Sequence, residues 1–491
     1  MRAVEGKVEK ESWIEKFGRR LAESVESWMP DPLIFALILS IVTILMAIFI
    51  MQPYTKMGPI ETMKWLFLDS WYRGFWALLA FAMQMCLILV TGYAIAYHPL
   101  VYRGLKRLAT VPKSTKQAAA LTAFVAMVFS WINWGLGLII GAVLARAIGV
   151  EFYKQRRPLH YPAVCAAGYA GLGLVWHWGL SGSAPLLSNT PGHAFQKLFE
   201  QLFGRGLVPV SETIFHPYTI ANSIIMIVCA PLIFWALAPR GEGVAKGIDA
   251  IAPHVLEAEL KEEERVKEKK IEKWTIADKL ENSKILAGIT AFIFIVSIAY
   301  WFSVKGFLEG LDLNAVNYIF MLAGFALYMN PIAYMRAIAR AAGATAGIIL
   351  QFPFYAGIMG LMQYTVVTPG GPNLATVIAN AIAANATAFS WPAICWLLSG
   401  LINIFIPSGG GQWVATGEIL SRVSASLGVP IGKTIISYAA GDQWTNLFTP
   451  FWAIPLLGIT GTRARDIFGY CIGAMILAAI PIGLGLTFIP Y

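Results

Sequence analysis

The stretch Ile132-Asn133-Trp134-Gly135-Leu136-Gly137 interrupts a long apolar segment, residues 118–145, near its middle. Lysine and arginine flank this segment on both sides, at Lys113, Lys116, Arg146 and Lys154. Positive charge in the short loops of a membrane protein marks the cytoplasmic side. Because both flanks carry it, the segment cannot cross a bilayer once. We expect it to enter and return as a re-entrant hairpin with its tip at residues 133–137.

The composition places the rest of the chain in a lipid bilayer as well. Of the 491 residues, 57% are hydrophobic and 13% are charged, whereas soluble proteins average about 45–50% apolar and about 25% charged residues. We predict an all-α, polytopic integral membrane protein. Its candidate spans are 33–51, 75–96, 118–145, 162–191, 218–238, 285–304, 315–329, 347–366, 391–428, 433–460 and 467–489.

The net charge of +9 comes from short runs of lysine and arginine between apolar segments. This pattern is typical of positive loops on the cytoplasmic side and does not indicate a nucleic-acid partner. The five cysteines lie singly inside apolar segments, so they are interpreted as small buried residues. We expect no cofactor other than a coupling ion, Na⁺ or H⁺.

The charges divide the chain into four regions. A run of acidic and basic residues from Lys261 onward, continued by Lys267-Glu268-Lys269-Lys270, predicts a solvated cytoplasmic linker between two membrane halves. The halves are expected to be inverted repeats, each with a re-entrant hairpin and a broken helix. The N-terminus would then be cytoplasmic and the C-terminus external. The regions are an amphipathic interfacial segment 1–30, a first repeat 31–238, the linker 239–283 and a second repeat 284–491.

Four segments combine Gly or Pro with polar side chains inside apolar surroundings, at 133–137, 176–192, 407–412 and 441–450. Broken backbone at membrane depth is tolerated where protein or a watery cavity satisfies its N–H and C=O groups, so these segments are candidates to line a binding site. The run Pro407-Ser408-Gly409-Gly410-Gly411 would bring helix N–H dipoles close to a carboxylate. The alternative interpretation is a flexible loop at the membrane surface.

Asp442 is the most conspicuous acid of the membrane region and lies among apolar residues. Intramembrane carboxylates commonly couple transport to ions, so Asp442 is the candidate Na⁺ ligand or proton site. A carboxylate that caps a broken helix is the alternative. Hydroxyl and amide groups at 181–183 and 188–190 could also contact a cation or a carboxylate, although turn and cap chemistry explains them equally well. His177, between two tryptophans, is assigned a structural role.

Signatures of hydrolases, zinc enzymes and nucleotide-binding loops are absent from the sequence, so we expect a secondary transporter and not an enzyme. Two alternatives stay open. One is an anion channel built from the same segments. The other is a membrane-embedded hydrolase or acyltransferase that uses Ser181 or Ser408 as its nucleophile.

Several motifs in order, from Trp28-Met29-Pro30-Asp31-Pro32 through Ile132-Asn133-Trp134-Gly135 and Gln351-Phe352-Pro353-Phe354-Tyr355 to Gln443-Trp444, resemble the bacterial short-chain fatty acid transporter family. The resemblance implies a carrier of monocarboxylates such as butyrate or acetoacetate in the inner membrane. It also implies an elevator motion and a homodimer. One departure is that Ser188-Asn189-Thr190 lies beyond the first hairpin and not at its tip.

The resemblance further implies hairpin tips at 133–137 and 403–411, followed by broken helices at 181–190 and 442–446. The substrate is assigned to Asn133, Trp134, Gly135, Gly137, Ser181, Ser183, Asn403, Ser408, Gly409, Gly410 and Gly411. The coupling ion is assigned to Asp442, Gln443, Asn446, Ser188, Asn189 and Thr190.

Overall fold

The computed structural model describes residues 12–28, 30, 32–54, 57–193, 195–240, 245–265, 275–307, 310, 313–364 and 371–491. Within these ranges the regular structure is helical. Residues 1–11 of the predicted N-terminal segment lie outside the described residues, as do Asp31 and the charged run Lys267–Lys270 of the predicted linker.

In the described residues of the first half and the linker there are sixteen α-helices. A π-helical segment, Trp65–Tyr72, and short 3₁₀ helices at Gln52–Tyr54, Trp176–Trp178 and Val210–Glu212 accompany them. The α-helices are α1 (Trp13–Trp28), α2 (Pro32–Met51), α3 (Pro59–Lys64), α4 (Arg73–Phe75), α5 (Leu79–Ala96), α6 (Pro99–Ala109), α7 (Thr115–Ile132), α8 (Trp134–Lys154), α9 (Tyr161–Gly168), α10 (Ala170–Leu174), α11 (Ser183–Ser188), α12 (Gln196–Phe203), α13 (Pro217–Leu237), α14 (Ile248–Ile251), α15 (Pro253–Arg265) and α16 (Ile276–Glu281).

The part of the second half that the structure describes contains ten α-helices, with 3₁₀ helices at Gly343–Thr345, Thr445–Leu447 and Phe451–Ala453. The α-helices are α17 (Lys284–Lys305), α18 (Leu313–Tyr328), α19 (Pro331–Ala342), α20 (Ala346–Tyr364), α21 (Leu374–Ala383), α22 (Trp391–Asn403), α23 (Gly409–Ser426), α24 (Ile431–Trp444), α25 (Ile454–Thr460) and α26 (Ala464–Phe488).

Seven of the described helices are long and apolar enough to cross a membrane, or eight if the bent pair 82–96 and 99–109 counts as one span. On α17, Ile285, Phe292 and Tyr300 are 76%, 65% and 72% exposed. Such an apolar outer surface is stable only in contact with lipid. The chain is therefore a multi-pass membrane protein.

The predicted segment 118–145 is an antiparallel pair of helices, α7 and α8, that meet at Asn133. The two helices approach closely because a glycine lies at their contact. A Cβ atom at Gly137 would overlap the backbone of Ser130, and small residues of this kind allow helices to pack closely in membranes. The structure thus contains a helical hairpin at the predicted position.

The same order of elements recurs in the second half. The pair α22 and α23, broken at residues 404–408, is followed by the interrupted helix α24–α25 and then by α26, which contains Pro481. In the first half, α7 and α8 are followed by the interrupted segment α9–α11 and later by α13, which contains Pro231. Several elements lie outside the predicted spans. The helix α3, the π-helical segment and α4 occupy residues 59–75, before the predicted span at 75–96, and α6, α12, α19 and α21 lie between other predicted spans.

Helix α1 packs against α26 and α13, so its apolar face contacts protein. Its Glu15 is fully buried and forms ion pairs with Lys116 Nζ at 2.6 Å and with Arg240 Nε at 3.1 Å. Lys116 also lies over the Trp235 ring, 4.4 Å from its centroid. A buried charge needs partners of this kind. Glu15 therefore fixes α1 to the base of α7 and to the end of α13.

The linker also packs against the protein along one face. On α15, Glu259 is 8% exposed and contacts Arg146 Nη2 of α8 at 3.0 Å, Lys106 Nζ of α6 at 3.5 Å and the Tyr102 hydroxyl. Glu257 and Lys261 on the other face are exposed. One face of α15 is therefore exposed, and the face that carries Glu259 is buried.

Replacement of Glu15 by Gln should destabilise the protein by about 3 kcal/mol, because it leaves the buried Lys116 ammonium without its carboxylate. Thermal unfolding in detergent measures the effect. Glu23→Gln is the matched control on the same helix, since the Glu23–Arg19 pair is exposed and contributes about 1 kcal/mol or less. Equal shifts in the two variants would contradict an anchoring role for Glu15.

Candidate functional site

The first hairpin tip is held by its own side chains and by the interrupted helix that follows it. Asn133 is fully buried, and its Oδ1 accepts a hydrogen bond from Leu136 N at 3.0 Å, which caps α8. Trp134 N donates to Ser181 Oγ at 3.0 Å, and Leu180 N donates to Trp131 O at 2.8 Å. Tip and break therefore satisfy backbone groups of one another away from water, whereas Asn133 Nδ2 is buried without a hydrogen-bond partner among the described residues.

The second hairpin tip is capped in the same way. Ser408 Oγ accepts from Gly411 N at 3.2 Å, so Gly409 begins α23. Trp452 Nε1 donates to Pro407 O at 2.8 Å, and Tyr438 OH donates to Gly409 O at 2.7 Å. Ser408, Gly409 and Gly410 are buried. The alternative interpretation of this run as a flexible surface loop is therefore wrong.

The second tip lies against the interrupted segment of the first half. A Cβ atom at Gly409 would be 2.6 Å from His177 Cε1 and 2.7 Å from Ser183 Oγ. Only a glycine permits this approach. The predicted residues Ser183 and Gly409, separated by more than two hundred positions, are thus brought into contact.

Asn403 and Asn446 connect the second hairpin to both interrupted helices. Asn403 Nδ2 donates to Thr445 Oγ1 and to Asn446 Oδ1, both at 3.0 Å. Asn446 Nδ2 donates to Leu172 O in the first half at 3.1 Å. The two predicted amides therefore form hydrogen bonds with side chains at the end of α24 and with the backbone of the interrupted segment in the first half.

Asp442 forms a buried pair with His177. Asp442 Oδ2 lies 2.7 Å from His177 Nδ1, and the two side chains are 1% and 0% exposed. Ala184 N donates to His177 Nε2 at 3.0 Å, so Nε2 carries no proton and Nδ1–H donates to the carboxylate. The imidazole is therefore neutral, with its Nδ1 proton directed at the Asp442 carboxyl group. Asp442 Oδ1 is buried without a hydrogen-bond partner in the described part of the chain.

Gln443, the residue after Asp442, supports the same contact. Its Oε1 accepts a hydrogen bond from His177 N at 2.9 Å. Asp442 and Gln443 belong to the last turn of α24, whereas the sequence placed them in the break. The break itself begins with the 3₁₀ turn Thr445–Leu447 and continues at Pro450. The helix persists because Gly441 fits against Trp396 O of α22 and lets α24 pack there.

Similar proteins cover nearly the whole chain. The model of the family described as "Short chain fatty acid transporter" matches residues 13–489. The chain belongs to the short-chain fatty acid transporter family. A relative from Escherichia coli K12, named "Putative short-chain fatty acid transporter", is 38% identical over 475 residues, 96% of this chain and 99% of that protein. A relative of the same name from Haemophilus influenzae is 35% identical over 480 residues, 97% of this chain and 100% of that protein.

Among solved structures, MtrF of Neisseria gonorrhoeae has 15% sequence identity and a TM-score of 0.47, with 95% of this chain and 97% of that chain covered. YdaH of Alcanivorax borkumensis has 16% identity and a TM-score of 0.45, with 93% and 97% covered.

His177 is the site residue to which the sequence assigned only a structural role. The flanking tryptophans favoured that interpretation, and Trp176 does stack on the imidazole, 4.3 Å between ring centroids. A signal was nevertheless present. A buried Asp442 requires a partner, and the four interrupted segments contain no lysine or arginine and only one histidine, His177.

Ser188, Asn189 and Thr190 were predicted to contact the coupling ion, and they lie at the end of α11. Val208 N donates to Ser188 O at 3.0 Å, and Thr190 Oγ1 donates to Leu186 O at 2.8 Å. These bonds hold the loop that follows α11. The hydrogen bonds of His177 described above go to Gln443, Asp442 and Ala184.

Replacement of Gly409 by Ala should destabilise the protein by about 1–3 kcal/mol, because the added methyl group overlaps the buried His177 ring. Gly410→Ala is the matched control, since its Cβ would first meet the end of the Leu187 side chain at 3.1 Å, which can move. Thermal unfolding of both variants in detergent measures the difference. A stable Gly409→Ala protein would contradict the close approach of the second tip to His177.

Proposed function

We propose that the protein is a secondary active transporter that moves short-chain monocarboxylates, such as butyrate or acetoacetate, across the cytoplasmic membrane and is driven by a gradient of H⁺ or Na⁺. Family membership supports the class of substrate. The observation that supports the proposal most strongly is that two capped helix N-termini, at Asn133 and Ser408, lie next to a buried carboxylate–imidazole pair.

The helix N-termini suit a small carboxylate. The first N–H groups of a helix have no partner within it, and the aligned peptide dipoles favour an anion at that end. Glycines follow both caps, Gly135 and Gly137 on α8 and Gly409 to Gly411 on α23, so no side chain of these residues covers their own N–H groups. Since none of the four interrupted segments contains lysine or arginine, binding would rest on these dipoles. That fits an abundant metabolite bound weakly.

The coupling ion would act at Asp442. With a neutral His177, the pair carries one negative charge in a site shielded from water, which is costly. Asp442 Oδ1 has no described partner, so it is the oxygen at which a proton or Na⁺ would neutralise the charge. His177 would orient the carboxylate by occupying Oδ2.

The proposed orientation of the chain in the membrane follows from contacts that the linker makes with the N-terminal helix region and with the start of α26. Glu15 near the N-terminus pairs with Arg240 at the start of the linker. A Cβ at Gly461, just before α26, would be 2.7 Å from Ala252 Cβ in the linker. If the charged linker is cytoplasmic, the N-terminus is cytoplasmic too. Helix α26 then starts there and ends outside.

The transport movement that we propose is an elevator motion. It is based on the family resemblance and on the repeated order of hairpin, interrupted helix and Pro-containing helix. In this proposal the halves are inverted repeats and both hairpins are re-entrant. The tips close around the anion, and the occluded site moves in an elevator motion. A homodimer would provide the fixed scaffold.

Purified protein in proteoliposomes should accumulate labelled butyrate under an imposed pH or Na⁺ gradient, and Asp442→Asn should reduce the gradient-driven rate by at least about tenfold. Glu418→Gln, an exposed acid on α23, is the control and should transport normally. No accumulation under either gradient by folded protein would overturn the proposed function. Flux that exceeds carrier rates and ignores gradients would favour a channel.

His177→Asn should keep measurable gradient-driven uptake, because the amide nitrogen of Asn can donate to Asp442 Oδ2 in place of Nδ1–H. His177→Phe should lose it, since Asp442 is then buried without a donor. The measurement is the ratio of uptake with and without the gradient. Equal ratios in the two variants would show that His177 does not act through Asp442.

A further inference from the structure

A cavity of about 690 Å³ lies between α20 and the segment that joins α25 to α26. His254 of the linker lines its rim, which places the cavity at the linker end of the protein. Gln351 lines it from α20, and Ile454, Arg463 and Arg465 line it from the opposite wall. The cavity is separate from the hairpin tips.

Two side chains that line this cavity, Gln351 and Arg465, have polar atoms without a hydrogen-bond partner in the described part of the chain. Gln351 is 6% exposed, and its Oε1 has no hydrogen-bond partner in the described part of the chain. Arg465 is exposed and forms no hydrogen bond or ion pair with the described residues, whereas Arg463 is held by both oxygens of Asp466. A buried amide without a partner is unusual in a folded protein.

Aromatic rings separate this cavity from the hairpin tips. Phe352, the residue after Gln351, packs against Phe451 and Trp452, with centroids 5.2 and 5.9 Å away. Trp452 in turn contacts both tips: it donates to Pro407 O at 2.8 Å, and its ring lies 5.1 Å from that of Trp134. An anion in the cavity is thus one aromatic layer away from the proposed substrate site.

The geometry points to a second carboxylate-binding site in this cavity. The Arg465 guanidinium and the Gln351 amide hold a short-chain monocarboxylate there, at the linker end of the protein. The anion occupies this site before or after it passes the aromatic layer formed by Phe352 and Trp452. This inference rests on the proposed function for the identity of its ligand. A guanidinium offers paired donors that match a carboxylate, and an amide NH₂ adds a third donor.

The test is protection of a cysteine placed in the cavity wall. Gly458 lines the cavity and a Cβ there meets no atom within 4 Å, so Gly458→Cys should fold normally. Cys229→Ser removes the one native cysteine that is not fully buried. Gly104→Cys on α6 is the matched control, exposed and equally free of neighbours. Reconstitution in zwitterionic lipid excludes anionic headgroups as competing ligands.

Butyrate should slow the labelling of the Gly458→Cys protein by a charged thiol reagent, and uncharged methyl butyrate should not. Labelling of the Gly104→Cys protein should be unaffected. With Arg465→Gln, the butyrate concentration for half-protection should rise about fivefold, and Gln351→Leu should raise it as well. Arg422→Gln, an arginine on α23 remote from the cavity lining, should leave it unchanged.

Protection that persists unchanged in both cavity variants would come from the hairpin tips and would overturn the inference. Absence of protection in a protein that transports butyrate would also overturn it. Failure of the parent protein to accumulate any monocarboxylate is a different outcome, since it overturns the proposed function itself.

Discussion

The hydrogen bond from His177 Nδ1 to Asp442 Oδ2 joins the two halves of the molecule at the place where their helices are interrupted. A carboxylate buried in apolar surroundings would be too costly without such a donor. The donor in turn is fixed at three atoms, by Gln443 at its backbone N–H, by Ala184 at Nε2 and by Asp442 at Nδ1. The positions of the first interrupted segment and of α24 are therefore mutually dependent.

Satisfaction of backbone polar groups explains the other contacts at this junction. Helices that stop inside apolar surroundings expose N–H and C=O groups that lipid cannot satisfy. Asn133 and Ser408 cap the returning helices, while Trp452, Tyr438 and Asn446 donate to carbonyl groups at the tips and breaks. Each interruption is thus stabilised by side chains from another segment, and the four interruptions are stable only together.

The sequence predicted the elements of this junction better than the contacts between them. Asn133 and the glycines after it were identifiable because charge on both flanks required a return. Asp442 was identifiable because an acid in an apolar run is rare. The role of His177 depends on a partner 265 positions away, which local patterns cannot show. Helices α3 and α4 were missed because residues 59–75 mix Glu61, Lys64, Asp69 and Arg73 with aromatics, a pattern without a continuous apolar run.

Two ionic clusters at the linker end join different helices to one another. Glu15 ties α1 to α7 and α13, and α1 also packs along α26, so these four helices form one unit with the first hairpin. Glu259 has a different position, because it joins Arg146 of that hairpin to Lys106 of α6, beyond the 70° bend that follows α5. If the hairpin moves relative to α5 and α6, the Glu259 contacts must break on one side, whereas the Glu15 contacts can travel intact. A charged cluster shared between two bodies costs little to break when water can enter and solvate both partners. Lys106 is 37% exposed, whereas Arg146 and Glu259 are 14% and 9% exposed, so the Lys106 contact is the one that water can replace. In the proposed movement, Glu259 would therefore stay with Arg146 and separate from Lys106.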